Sequence, residues 1–395
     1  METYKLRDLC LTEISDGTHQ TPTYSETGYI FLSSKNVTTG KIDWDNVMYI
    51  PESLHNELYK RIKPQKDDIL LAKNGTTGVA AIVDRDEVFD IYVSLALIRP
   101  DKSKVLPRYL LYAINSTPSK EFFNRNLKGI GVPNLHLKHI RETPIRVPSF
   151  HEQEHIISVL DKVSDLLNHR KQQIAQLDEL IISRFIELFG DPMDNPMGWD
   201  RVNISTVVGG KVSNGFFAKR DDYCDDGNVE VLGVAHVVNR MYSNIEDLPK
   251  THGTGIDIAK YGVSYGDMLF CRSSLVATGI GKASIVPKGT PKNVLFECHV
   301  IRLPLDLKKC VPEFMQVLST TDYFRNQVIS QSKTATMTTI GQDGILKTDI
   351  ILPPIEMQNQ FLQSIEQINK TKTAVQNSIY ELEELRKALM QQYFG

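Results

Sequence analysis

The sequence predicts an α+β protein in which two mixed α/β globules alternate with two long helices, the second half repeating the first. Three observations predict it. Two stretches of about 40 residues carry one apolar phase, His151 to Gly190 and Glu356 to Gly395. Corresponding residues lie at one constant offset without a gap, from Pro107/Pro312 through Ile145/Ile350 and Gln153/Gln358 to Gly190/Gly395. The segments before the helices repeat one order of strand-like and turn-like pieces in looser sequence. The expected boundaries are 1–150, 151–190, 191–355 and 356–395.

The first globule reads mostly as strands broken by turns. KLRDLCLTEI leads into the polar loop SDGTHQTPTYSETG and then the apolar run YIFLSS. KPQKDDILLAKNGTTGVAAIV reads as two buried strands joined through Lys73-Asn74-Gly75-Thr76-Thr77-Gly78, and VSLALIRP as another strand. After Pro107 the pattern turns helical, and the Gly-rich KGIGVPNLHLKHI returns to an extended PIRVP. Residues 191–355 follow the same order. Asp67-Asp68-Ile69-Leu70-Leu71 reappears as Gly266-Asp267-Met268-Leu269-Phe270, Lys73-Asn74-Gly75 as Arg272-Ser273-Ser274, and Gly78 as Gly281.

In the first long stretch Ile156, Leu160, Val163, Leu167, Ile174, Leu177, Ile181 and Leu188 recur at steps of three and four. In the second, Phe361, Ile365, Ile368, Val375, Ile379, Leu382 and Leu389 keep that phase. This is the seam of a long helix that pairs with another helix. Both stretches start behind proline, carry a glutamine near the start and close on an aromatic and Gly, a helix-stop pattern. Leu167 takes the place of Lys372, Arg170 that of Val375, Ile181 that of Arg386 and Arg184 that of Leu389. A self-identical pair would stack those charges, so the two helices are expected to partner each other within one chain, with the same seam available for docking partners.

Composition sets outer limits. The net charge of −3 excludes a basic field over the whole surface, so any nucleic-acid site is a local patch. Five scattered cysteines (Cys10, Cys224, Cys271, Cys298, Cys310) form no CxxC pair and read as reduced thiols, neither staples nor zinc ligands. The opening METYKLRDLC lacks an apolar signal region and no stretch reaches membrane-spanning length, from which a cytoplasmic location is expected.

Catalytic and metal motifs fail on inspection. His151-Glu152-Gln153-Glu154-His155 fits HExxH, but the duplicate puts Glu356 and Gln360 at the two His positions. A third ligand such as Glu179 would lie roughly 36 Å along the same helix. Gly279-Ile280-Gly281-Lys282 lacks the first glycine and the hydroxyl residue of a phosphate loop. Asn195-Pro196-Met197-Gly198 lacks the second proline and the aromatic of an amino-group methyltransferase tetrapeptide. No catalytic residue, metal site or cofactor is expected in this chain.

What remains is a set of polar loops with the chemistry to read bases and hold phosphates. In the first globule these are Thr18, His19 and Gln20, then Ser34, Lys35 and Asn36, then Lys73, Asn74 and Thr76, with Lys128 and Asn134. In the second they are Asn214, Phe216, Lys219 and Arg220, then His236, Asn239 and Arg240, then Arg272 and Ser273, with Lys333. Lys and Arg suit guanine O6/N7, Asn and Gln suit adenine N6/N7, and hydroxyls and Lys also serve phosphates.

SDGTHQTPTYSETGYIFLSSKNV, DDILLAKNGTTGVAAIV, the proline-and-Gln helix starts and the junction LFGDPMDNPMGW resemble the specificity subunit of type I restriction–modification systems, over essentially the whole chain. MTTIGQDGI departs from the first copy's VPNLHLKHI. The resemblance implies two target-recognition domains related by a pseudo-two-fold repeat and separated by helices packed as an antiparallel coiled coil. Each domain would read one half of a split, asymmetric sequence in double-stranded DNA. The subunit would itself be non-catalytic. Two modification subunits, which use S-adenosylmethionine to methylate adenine N6, and restriction subunits using ATP and Mg would be its partners. The reading from another class is a non-DNA scaffold with two arms that bind partner proteins.

Overall fold

A computed structural model describes residues 2–127, 133–334 and 337–395. They form two compact units, Met1–Lys171 with Asn377–Gly395, and Gln172–Gln376. Each long stretch is one unbroken helix, Phe150–Phe189 and Ile355–Phe394.

In the first unit, Ser15–Asp16, Leu95–Ile98, Ile69–Ala72 and Ala80–Ile82 lie in that order in an antiparallel four-stranded sheet. A second sheet orders Met48–Ile50, Tyr29–Leu32 and Phe89–Ile91, the last pair parallel. Glu2–Lys5 pairs with Pro144–Val147 beside them. The second unit repeats this order. Ser213–Asn214, Val300–Pro304, Asp267–Cys271 and Ala283–Ile285 make its four-stranded sheet. Lys250–Thr251, Val229–Leu232 and Val294–Phe296 make the three-stranded one, again with a parallel pair. Arg201–Asn203 pairs with Asp349–Ile351. The central strands Ile69–Ala72 and Asp267–Cys271 are buried at every position, which explains their continuous apolar runs in place of alternation.

Equivalent backbone positions share their conformation even where the residue changes. The turn before each central strand needs a positive φ, met by Asp67 at 72° and by Gly266 at 97°. The strand-to-strand turn closes on Gly78 (φ 84°) and Gly281 (φ 62°), where an added Cβ would press on Phe123 or Val328.

The apolar seam packs within each unit. In the first, Ile156 and Leu160 join Tyr109, Leu110, Ile114 and Phe394 in one core. His155 meets Tyr393 edge-on at 6.5 Å and Lys171 reaches Glu383 at 3.3 Å. The start of one helix therefore lies against the end of the other, with opposite directions. In the second unit Phe185 and Phe189 surround Phe361 and Phe314, with centroids 4.9–5.6 Å apart. Lys372 pairs with Asp178 there, so the direction is again antiparallel. Val163, Leu167, Ile181, Ile365, Ile368 and Val375 are buried, while Ile174, Leu177, Ile379 and Leu382 are half-buried.

The first helix ends where Gly190 takes φ 74°, a place where any Cβ would meet Pro196 at 2.5 Å. The junction then folds back as a cap. The Trp199 indole donates to the Phe189 carbonyl at 2.9 Å, and Asn195 both donates to and accepts from the Trp199 backbone. These bonds satisfy a carbonyl that a helix end leaves open.

Each helix start is held to its globule by one buried glutamine. Gln153 is 1% exposed; its carbonyl accepts from Leu106 N at 2.8 Å and its amide donates to Pro148 O at 3.0 Å. Gln358, fully buried, accepts from Val311 N at 2.9 Å and donates to Pro353 O at 2.8 Å. Replacing either by Leu strands a buried backbone N–H and a carbonyl. We expect Gln153→Leu and Gln358→Leu each to cost about 1–3 kcal/mol per orphaned group, read as a lower denaturation midpoint of the whole chain. A midpoint within error of the parent would contradict the clamp.

Candidate nucleic-acid interface

The polar loops of each unit leave the ends of the same strands. In the first unit Thr18 is pinned beside the parallel pair, donating its N–H to Ile91 O at 3.2 Å and accepting from Val93 N at 3.0 Å. His19 and Gln20 follow and are exposed. Ser34 donates its backbone N–H to the Ser94 hydroxyl at 2.9 Å, and Lys35 stands exposed with no ion pair among the described residues. A backbone bond from Leu135 N to Lys73 O at 2.8 Å brings the Lys73 loop and the Asn134 segment together. Asn74 and Asn134 form a bridge there, and each buries an amide oxygen that has no hydrogen-bond partner among the described residues. Thr76 is exposed at the tip, and Lys128 lies outside the described residues.

Two expected contacts belong to the fold. Asn36 is 7% exposed, and its amide is used up inside the loop: Oδ1 accepts from Ser33 N at 2.9 Å, while Nδ2 donates to Asn46 O at 2.9 Å. It shapes the Lys35 loop and has no free polar edge to offer. Lys73 is 6% exposed, with Nζ 2.8 Å from Asp16 Oδ2. Strand alternation could not show this, because the carboxylate comes from the short strand Ser15–Asp16, 57 positions earlier in the chain (73 minus 16). Asp16 also faces His19 at 3.3 Å and Arg61 at 3.5 Å, so one buried carboxylate gathers three basic side chains at the loop base.

In the second unit Asn214 is half-buried next to Phe216, whose ring packs edge-on against Tyr261 at 5.7 Å. Lys219 and Arg220 are exposed. Gly233 N donates to His236 Nδ1 at 3.0 Å, leaving Nε2 to carry the proton. Burial, helped by the nearby Arg240 charge, holds this imidazole below its usual range and hence neutral near pH 7. Asn239 accepts from Lys282 at 2.6 Å, and Arg240 donates to the carbonyls of Val238 and Ala235. Arg272 donates to Cys298 O at 3.2 Å. Ser273–Ser274, Thr338–Thr339 and Lys333–Thr334 form a small extra sheet, which places Ser273 opposite Thr339 and Thr339 opposite Lys333.

The fold adds residues that sequence reading missed. Gly281 follows Arg272 by nine positions, whereas Gly78 follows Lys73 by five, so the second copy lengthens this loop. The extra residues include Leu275, 83% exposed, and Val276, 60% exposed; Phe217 is 68% exposed in the neighbouring polar loop. The alignment of the two copies already implies the longer loop; the exposure of its apolar residues is what the alignment does not show. Arg325 turns one guanidinium nitrogen, Nη1, into a buried place without a partner among the described residues, and burial pushes its pKa down. No pattern in the sequence marks it.

Frame and loops together define a protein of duplicated α/β globules, each joined to a long paired helix, with different side chains on equivalent loops. The family model described as the type I restriction modification DNA specificity domain matches residues 1–178. The chain is 20% identical to the EcoKI specificity subunit of Escherichia coli, covering 92% of this chain and 81% of that protein. It is 22% identical to the StySPI specificity subunit of Salmonella potsdam, covering 94% and 83%. Its fold is similar to a chain solved in work on complex assembly and conformational transition of the type I R-M system, with TM-score 0.58 and 17% identity over 100% of this chain and 97% of the other. It is also similar to the S subunit from M. genitalium, with TM-score 0.53 and 11% identity over 100% and 96%. Sequence similarity to type I restriction enzyme specificity subunits thus extends over more than nine-tenths of the chain, while the family model matches its first part. No described helix is long and apolar enough to cross a membrane.

The geometry separates side chains spent inside the fold from side chains left exposed. Asp16→Ala leaves the Lys73 ammonium buried and unpaired, at an expected cost of about 3–5 kcal/mol. Lys35→Ala removes an exposed side chain and should move stability by less than about 0.5 kcal/mol. Denaturant unfolding of the two variants decides this; equal losses would overturn the assignment.

Proposed function

We propose that this chain is the DNA-reading subunit of a type I restriction–modification complex, each globule reading one half of a bipartite, asymmetric site. The observation that carries this reading is a repeated strand order with unlike polar loops at equivalent places: Lys73-Asn74-Gly75 against Arg272-Ser273-Ser274. A frame kept twice while its loops diverge suits two specificities. Residues bearing free polar edges, Gln20, Lys35, Thr76, Lys219, Arg220 and the Nε2 of His236, are the base and phosphate contacts. Lys128 and Lys333 extend the set toward phosphates.

The long helices set the spacer and receive the modification subunits. A helix of 40 residues is about 60 Å long, more than the roughly 34–36 Å between half-sites one DNA turn apart. The exposed Leu166, Leu180, Ile182, Ile186, Tyr380 and Leu385 on these helices offer apolar surface for partner helices. The modification subunits bring S-adenosylmethionine and methylate adenine N6, and restriction subunits bring ATP and Mg. The chain performs no chemistry of its own and works in the cytoplasm.

Modularity is the test. Exchanging residues 1–150 for those of another specificity subunit should change one half-site and leave the other and the spacer intact. A change in both half-sites would contradict the assignment of one globule to one half-site. With a net charge of −3, the chain alone should bind DNA feebly and with a shallow salt dependence. Tight, steeply salt-sensitive specific binding by the pure subunit would contradict the role given to its partners.

A further inference from the structure

The second unit holds a cluster that the linear spacing of cysteines and histidines did not disclose. Cys224, Asp226 and His252 each offer one ligand atom, and these atoms all lie within 4.8 Å of one another. We propose that Cys224, Asp226 and His252 bind a zinc-class divalent cation through thiolate, carboxylate and imidazole, with water in the fourth position. This site stands independently of the DNA-reading role.

Backbone pairing, not side-chain chance, brings the ligands together. Tyr223 and Thr251 form an antiparallel bridge, and Cys224 N donates to Lys250 O at 3.0 Å. The Thr251 hydroxyl donates to Asp222 O at 2.8 Å. The Asn228 side chain then grips Gly253 twice, donating to its carbonyl and accepting from its N–H, both at 2.9 Å. Between these bonds the turn of residues 224–227 lies flush on the Thr251 backbone. An added Cβ at Gly227 would meet Thr251 N at 2.4 Å, so only glycine permits the approach. Both ligand-bearing segments are thus fixed at their roots while the side chains stay open to solvent, His252 and Asp226 being 67% and 84% exposed.

The donor set selects the ion. A thiolate and an imidazole favour zinc over the hard cations calcium and magnesium, which take oxygen ligands. Bonds of about 2.0–2.3 Å in a tetrahedron put ligand atoms roughly 3.5 Å apart. His252 Nε2 and Asp226 Oδ1 are already 3.8 Å apart, so a small rotation of exposed side chains completes the site. Asp225 adds negative charge beside it. On binding, the Cys224 thiol gives its proton to solvent and its sulfur lone pair to the metal; nothing is oxidised or reduced. The ion would tie the strand Lys250–Thr251 to the end of the loop that carries Lys219 and Arg220.

Zn2+ titration of the full chain against a chromophoric chelator should give one equivalent bound. Cys224→Ser and His252→Ala should each weaken that binding by at least about tenfold, a loss seen even for outer-shell partners. Residue-resolved alkylation of the unmodified chain gives a readout independent of variant folding. Stoichiometric Zn2+ should slow labelling of Cys224 and leave Cys10 and Cys298, which are also partly accessible, unchanged. No binding, binding untouched by both substitutions, or a Cys224 labelling rate indifferent to Zn2+ would each overturn the proposal.

Discussion

The buried amide at each helix start is the constraint on which the rest of the chain depends. A long helix with a narrow apolar seam has no fixed rotation or height until something pins one end. Gln153 and Gln358 do this by bonding at once to the loop before the globule's own helix and to the proline-bearing strand exit. A buried amide that loses one partner is costly, whereas one that keeps both defines a geometry. With the start fixed, Ile156 and Leu160 meet the first core, and Phe361 and Ile365 meet the second.

That arrangement frees the loops. The central strands are closed on both faces by apolar side chains, and their turns are set by backbone conformation at Asp67/Gly266 and Gly78/Gly281. The loops between them carry no such burden and differ almost completely between the copies. The first unit gathers its basic side chains on one buried carboxylate, Asp16. The second spreads them over carbonyls, an amide and an extra small sheet, and adds exposed Leu275 and Val276.

Architecture was legible in the sequence because it rests on periodicity. The helix seam, the proline and glutamine starts, Gly190 as a stop and the repeat of strand-like segments along the chain all follow from spacing, and the mixed α+β fold agrees with the similar solved structures; the order of strands within the sheets does not follow from it. Side-chain employment was not legible. Asn36 and Lys73 have the composition of base readers but spend their polar groups inside the fold. The partners that consume them, Asn46 and Asp16, arrive through turns and sheet pairing that no local pattern fixes. The same non-local pairing hid the meeting of Cys224 with His252.

The role proposed for this chain is to specify a split site that its partners modify. The most direct measurement is methylome sequencing of cells that express this chain with its cognate modification subunit. A single bipartite motif, with N6-methyladenine on both strands and a fixed spacer, is the predicted result. An unmodified genome despite a demonstrably assembled complex would contradict the account and favour a scaffold that binds proteins in place of DNA.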